Sequence, residues 1–83
     1  MRKTKEWQSV NQERYYPIGS CVVNFGRLPI RIMVPPGTLN EQRKVLRERI
    51  KAHANSLYES KIWEEPIRED ELNEVMSEAK IKH

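Results

Sequence analysis

Apolar and polar residues alternate along two neighbouring segments, residues 19–25 and 28–34, which are joined by Gly26-Arg27. A period of two is typical of strands with one buried face, and glycine first in a two-residue turn is typical of a type II′ hairpin. In the register set by this turn, one face is almost entirely apolar: Cys21, Val23, Phe25, Leu28, Ile30, Ile32 and Val34. We therefore predict an antiparallel β-hairpin over residues 19–34, with Phe25 opposite Leu28 and Gly19 opposite Val34.

Pro29 lies on the opposite face of this hairpin, together with Ser20, Asn24 and Arg31 and the apolar exceptions Val22 and Met33. In the predicted register the Asn24–Pro29 pair is not hydrogen-bonded, so proline removes an N–H that would point away from the hairpin. The second strand is therefore expected to be an edge strand. Any third strand would lie beside residues 20–25, and a dimer that extends the sheet there is one hypothesis.

A helix is expected directly after the hairpin. Thr38 and Glu41 have the spacing of a capping box, and the apolar stripe of Leu39, Leu46, Ile50, Ala54 and Leu57 has helical spacing. This amphipathic helix, residues 38–58 with its cap, should cover the apolar face of the hairpin, because a two-stranded hairpin alone is marginally stable.

A shorter acidic helix is predicted over residues 67–80, after Pro66. Acidic residues 69–71 fall in its first turn and Lys80, Lys82 and His83 at its end, which suits the helix dipole. Residues 1–16 are expected to form a short helix or an arm, with Tyr15–Pro17 extended. The whole chain of 83 residues is thus predicted to be one small α+β domain: a hairpin packed on a long helix, plus the acidic helix.

The charge is distributed unevenly. The net charge is +3, but residues 1–58 carry eleven Lys and Arg against four Glu, whereas residues 59–83 carry four against eight acids. Either the two parts attract each other on a solvated surface, or the basic part provides a face for an anionic partner. Cys21 is the only cysteine, so no disulfide within the chain is expected, and no signal peptide or membrane-spanning segment is recognised. The sequence therefore favours a cytoplasmic protein. Because so small a chain buries a limited core, we expect self-association to stabilise it.

Basic residues of the long helix form one arc: Arg43, Lys44, Arg47 and Lys51. This arc predicts contacts with the phosphates of DNA or RNA, to which Arg31, Lys3 and Lys5 would add. The competing interpretation is a solvated helix face, in which Arg43 or Arg47 pairs with Glu71, Glu74 or Glu78. The first interpretation predicts a nucleic-acid-binding regulator.

An alternative function is that of an inhibitor or adaptor of a larger protein. Its interface would use Trp63 and the apolar stripe of the acidic helix, formed by Leu72, Val75, Met76 and Ala79. The same stripe is equally expected to pack on its own domain.

Signatures of catalysis are absent from the sequence. His53 and His83 stand far apart, no paired-cysteine or H-E-x-x-H spacing occurs, and no Gly-Lys-Ser/Thr follows a glycine. We predict no enzyme activity, metal or cofactor, and a buried, inert Cys21 thiol.

The segment "PIRIMVP" followed by a capped helix resembles the start of a ribbon-helix-helix DNA-binding dimer over about residues 29–58. The resemblance implies that the strand enters the major groove, with Arg31 and Met33 facing the bases. The sequence departs from the family in its preceding partner strand and in having no glycine turn around residues 53–56.

Overall fold

The protein is described by a computed structural model over residues 14–25 and 28–83. Within these residues, four strands precede two helices: β1 (Tyr15–Tyr16), β2 (Gly19–Phe25), β3 (Leu28–Val34), β4 (Gly37–Thr38), α1 (Leu39–Glu59) and α2 (Glu69–Glu78). The predicted α+β arrangement, with a hairpin, a long helix and a C-terminal helix, is confirmed.

Strands β2 and β3 pair in the predicted register, from Phe25 opposite Leu28 to Gly19 opposite Val34. Of the predicted inward residues, Cys21, Val23, Ile32 and Val34 are buried and Ile30 is half-buried. The turn Gly26-Arg27 and the side chains of Phe25 and Leu28 lie outside the described residues. The alternation of apolar side chains therefore determines which face of the hairpin enters the core.

The hairpin continues beyond its predicted base. Tyr15 pairs with Thr38 and Tyr16 with Gly37 in the same register as β2 and β3. The ladder is interrupted between these two pieces by prolines on both sides, at Pro17, Pro35 and Pro36. Because proline lacks an N–H, it interrupts the hydrogen bonding without shifting the register.

Helix α1 begins at the predicted capping box. The Thr38 Oγ1 accepts from the Glu41 N–H at 3.2 Å, and the Glu41 Oε1 accepts from the Thr38 N–H at 2.9 Å. Leu46, Ile50 and Ala54 are buried on its inner side. The prediction was wrong for Leu39, which is 40% exposed because it lies in the first turn, immediately after the last strand pair.

Near the start of α1, the buried residue is Gln42, which is 1% exposed. Its amide donates to the carbonyls of Pro17 at 2.8 Å and Pro35 at 3.0 Å. These carbonyls lie where the prolines interrupt the ladder, so the buried position needs a polar donor rather than a leucine.

Helix α2 is shorter than the predicted range of residues 67–80. It begins with acidic residues 69–71, as predicted, but ends at Glu78, where Ala79 adopts an extended conformation with ψ of 135°. The last turn therefore holds no basic residue, and Lys80 and Lys82 lie beyond the helix. Leu72, Met76 and Ala79 are buried against the hairpin and α1.

The residues after α2 form a tail that runs antiparallel to β2. Ser20 and Lys82 exchange two backbone hydrogen bonds, of 2.9 Å and 2.7 Å. This bridge lies on the predicted free side of β2, so the chain itself provides a one-residue third strand there. None of the described helices is both long and apolar enough to cross a membrane.

Candidate functional site

Two arginines of the predicted basic arc contact helix α2. The Arg43 Nη2 donates to the Met76 carbonyl at 2.9 Å. The Arg47 Nη1 donates to the Asn73 Oδ1 at 2.8 Å, and its Nη2 forms an ion pair with Glu69. The arc thus pairs with the acidic helix, through Glu69 rather than the expected Glu71, Glu74 or Glu78.

The lysines of the arc remain exposed. Lys44 and Lys51 lie on the solvent side of α1, and the exposed Glu41 and Glu48 lie among them. Acids three or four residues from a lysine on a helix reduce the local positive potential. This side of α1 is therefore close to neutral, and only two of its four predicted cations point freely to solvent.

Arg31 lies on the other side of the molecule. Its neighbours Ile30 and Ile32 face α1, and side chains alternate along a strand, so the exposed Arg31 points away from the helices. The structure therefore does not bring Arg31 together with Lys44 and Lys51. Lys3 and Lys5 lie outside the described residues.

Arg31 belongs to a surface that we call the outer hairpin face. It comprises the outward residues of β2 and β3: Ser20, Val22, Asn24, Pro29, Arg31 and Met33. Val22 is 53% exposed and Met33 is 43% exposed, and Val22 lies directly opposite Arg31. Directly opposed side chains share one face of a sheet, so exposed Lys82 extends this surface from its position beside Ser20.

None of the residues that form this surface is acidic, and the acid beside it is Glu78 of α2, which lines a small cavity together with Val22 and Asn24. No Asp or Glu occurs between Arg14 and Asn40, the segment that includes all four strands. Every acid among the described residues lies on α1, on α2 or in the segment between them. The strand layer is consequently cationic, whereas the residues after α1 are predominantly acidic.

Arg49 was not singled out in the sequence. Its Nη1 donates to the Met33 carbonyl at 2.7 Å and thereby occupies an acceptor of β3. As predicted from Pro29, β3 pairs with β2 alone among the described strands. Residues three apart are neighbours on a helix, and Arg49 follows the apolar Leu46 by three residues. This spacing is the signal from which a position beside the core could have been predicted.

Most of the predicted protein interface is used within the chain. Leu72 is 1% exposed, Met76 is 9% exposed, and Val75 is packed against the core. Trp63 is half-buried and also packs against the core, and it lines two surface cavities of about 620 and 470 Å³. Ile62 lines the larger cavity and is 64% exposed.

The Cys21 thiol is buried, as the sequence predicts. Cys21 is a free thiol with 2% exposure, so a reagent in solution has little access to it. Within residues 14–25 and 28–83, no group of three or more His, Cys, Asp or Glu residues is arranged to hold a metal ion.

Comparison with known proteins adds no relative. The chain matches no protein-family model, and neither the curated proteins nor the solved structures contain a significant match. Functional inference therefore depends on the surfaces described above.

Proposed function

We propose that this protein is a small, non-catalytic nucleic-acid-binding protein and that the outer hairpin face provides its contact surface. The observation that carries the proposal is the lack of any acid between Arg14 and Asn40, combined with outward-pointing Arg31 and Lys82. A cationic surface attracts the phosphate backbone and releases its counterions, and Glu78, the acid beside this surface, lies at its β2 side next to Val22 and Asn24 rather than on the strand of Arg31.

The helix arc supports this function less well than the hairpin does. Arg43 and Arg47 already donate to α2, so binding phosphate would require them to give up those contacts. Lys44 and Lys51 share their surface with acids. We therefore assign the contact to the outer hairpin face rather than to the helix arc.

The shape of the hairpin suits a nucleic-acid groove. A two-stranded β-ribbon fits the major groove of B-DNA, where Arg contacts guanine and Asn contacts adenine. Arg31 and Asn24 are exposed on the outer hairpin face, on neighbouring strands. The resemblance to ribbon-helix-helix proteins ends there, because β3 pairs within its own chain and α1 continues without a break through residues 53–56.

A salt titration of nucleic-acid affinity tests this proposal. We expect wild-type protein to bind labelled DNA or RNA at low salt and to lose affinity steeply as salt rises. Arg31→Gln should weaken binding and lower the slope of log K against log salt by about 1, because one phosphate contact is lost.

Lys44→Gln is the matched control, since it removes one positive charge from the opposite side of the molecule. It should change the slope less than Arg31→Gln does. Substitutions at Arg43 and Arg47 are unsuitable, because they would also remove contacts to α2. Absence of salt-dependent binding, or equal effects of the two variants, would contradict the proposal.

A further inference from the structure

An acidic and partly apolar surface lies at the C-terminal end of α1. We call it the acidic end and define it by the residues that line its two cavities: apolar Tyr58, Ile62, Trp63 and Pro66, acidic Glu59, Glu64, Glu65 and Glu71, and basic Lys61 and Arg68. Ile62 is 64% exposed and Tyr58 is 42% exposed. Exposed apolar side chains in a concave surface, rimmed by charge, are typical of interaction sites.

The outer hairpin face has complementary chemistry. It exposes Val22 and Met33 beside Arg31, and its charged residues are the cations Arg31 and Lys82, with Glu78 of α2 at its β2 side. One surface thus offers apolar groups with positive charge, and the other offers apolar groups with an excess of negative charge. Such complementarity favours association and sets its orientation.

We propose that the acidic end of one copy binds the outer hairpin face of a second copy. A symmetric contact between two outer hairpin faces would bring Arg31 and Lys82 of both copies together, which is electrostatically unfavourable. The charges therefore favour a head-to-tail contact, which forms rings or open chains rather than a two-fold dimer. This inference does not depend on nucleic-acid binding.

Sedimentation velocity of the full chain tests the association. We expect the mean sedimentation coefficient to rise with protein concentration through the high micromolar range at low salt. The rise should diminish at high salt, because salt screens exposed charges. A wild-type protein that stays monomeric throughout overturns the proposal.

Two variants identify the surfaces. The face variant carries Arg31→Gln and Met33→Gln, and the end variant carries Ile62→Gln and Glu64→Gln. All four positions are exposed, so both variants should fold, which circular dichroism checks. Each variant alone should lose the concentration-dependent rise, since each lacks one half of the contact.

Mixing the two variants gives the decisive result. The intact acidic end of the face variant should bind the intact outer hairpin face of the end variant and form one-to-one complexes that cannot grow. A control variant with Leu39→Gln and Lys44→Gln is matched to the face variant, because it also replaces one exposed apolar residue and one exposed basic residue, but on α1. It should associate like wild type. A mixture that remains monomeric, or a control that loses association, overturns the head-to-tail contact.

Discussion

At the scale of single residues, Gln42 connects three separate segments of the chain. Its amide donates to the carbonyls of Pro17 and Pro35, which leaves its Oε1 to accept from the Nε2–H of His83 at 2.8 Å. The His83 ring in turn stacks on Tyr16 with 4.7 Å between ring centroids. One buried amide thus joins both sides of the hairpin base to the tail.

Replacing this amide should destabilise the fold. Gln42→Leu keeps an apolar group in the buried position but leaves two carbonyls without their donor, which costs roughly 2 kcal/mol. Urea unfolding followed by circular dichroism measures the loss. Lys44→Leu, an exposed position of the same helix, is the control and should change the free energy of unfolding little. Equal stability of Gln42→Leu and wild type would refute the role of the amide.

Lys61 has a backbone conformation that favours glycine. Its φ is 65°, and the chain forms a Schellman motif in which the Ile62 N–H donates to Leu57 and the Lys61 N–H to Tyr58, both at 3.0 Å. Lys61→Gly should raise the free energy of unfolding by about 1 kcal/mol, because glycine adopts this conformation without steric cost. Thermal unfolding provides the measurement. Lys61→Ala, which keeps the Cβ, should show no such gain.

At the scale of elements, the tail shows how tertiary contacts override a local pattern. Residues 79–83 carry the lysines that would suit a helix end, yet they leave α2 and follow β2. The close approach requires Gly19, since a Cβ there would lie 2.6 Å from the Ile81 Cγ2. Backbone hydrogen bonds to the open edge of β2 and burial of Ala79 replace the last turn of helix.

Proline substitutions test this bridge. Lys82→Pro removes the N–H that donates to the Ser20 carbonyl and should destabilise the protein by about 1 kcal/mol. Lys80→Pro is the control, because it follows Ala79, whose ψ of 135° is compatible with a following proline. Hydrogen exchange should show faster exchange of the Ser20 amide in Lys82→Pro only. Unchanged protection at Ser20 would argue against the bridge.

At the scale of the whole molecule, the cations of the outer hairpin face and the exposed lysines of α1 lie on opposite sides. Arg31 and Lys82 extend from the strand layer, whereas Lys44 and Lys51 lie on the solvent side of α1. A short nucleic acid bound to one side should therefore leave the other side unaffected.

An NMR titration with a short duplex distinguishes the two sides. Since the outer hairpin face is the proposed contact, the amides of Val22, Arg31 and Met33 should shift with added duplex at low salt. The amides of Lys44 and Lys51 should shift little and serve as the internal control. Shifts concentrated on α1 would place the contact on the helix arc instead.

Much of the fold was predictable because its signals are local. The capping box at Thr38 and the alternation in residues 19–34 depend on neighbours in sequence, and both predictions are confirmed. The candidate site was less predictable. Whether Arg43 and Arg47 face solvent depends on where α2 packs, and a helical wheel does not contain that information.

The sequence by itself determined the hairpin register, the α1 boundaries and the uneven distribution of charge, because turn geometry, side-chain periodicity and composition act along the chain. Only the tertiary structure decided which charges remain exposed, that a buried Gln42 replaces Leu39 in the core, and that the tail joins β2. These outcomes depend on long-range packing, in which buried carbonyls and an open strand edge require hydrogen-bond partners from distant parts of the chain.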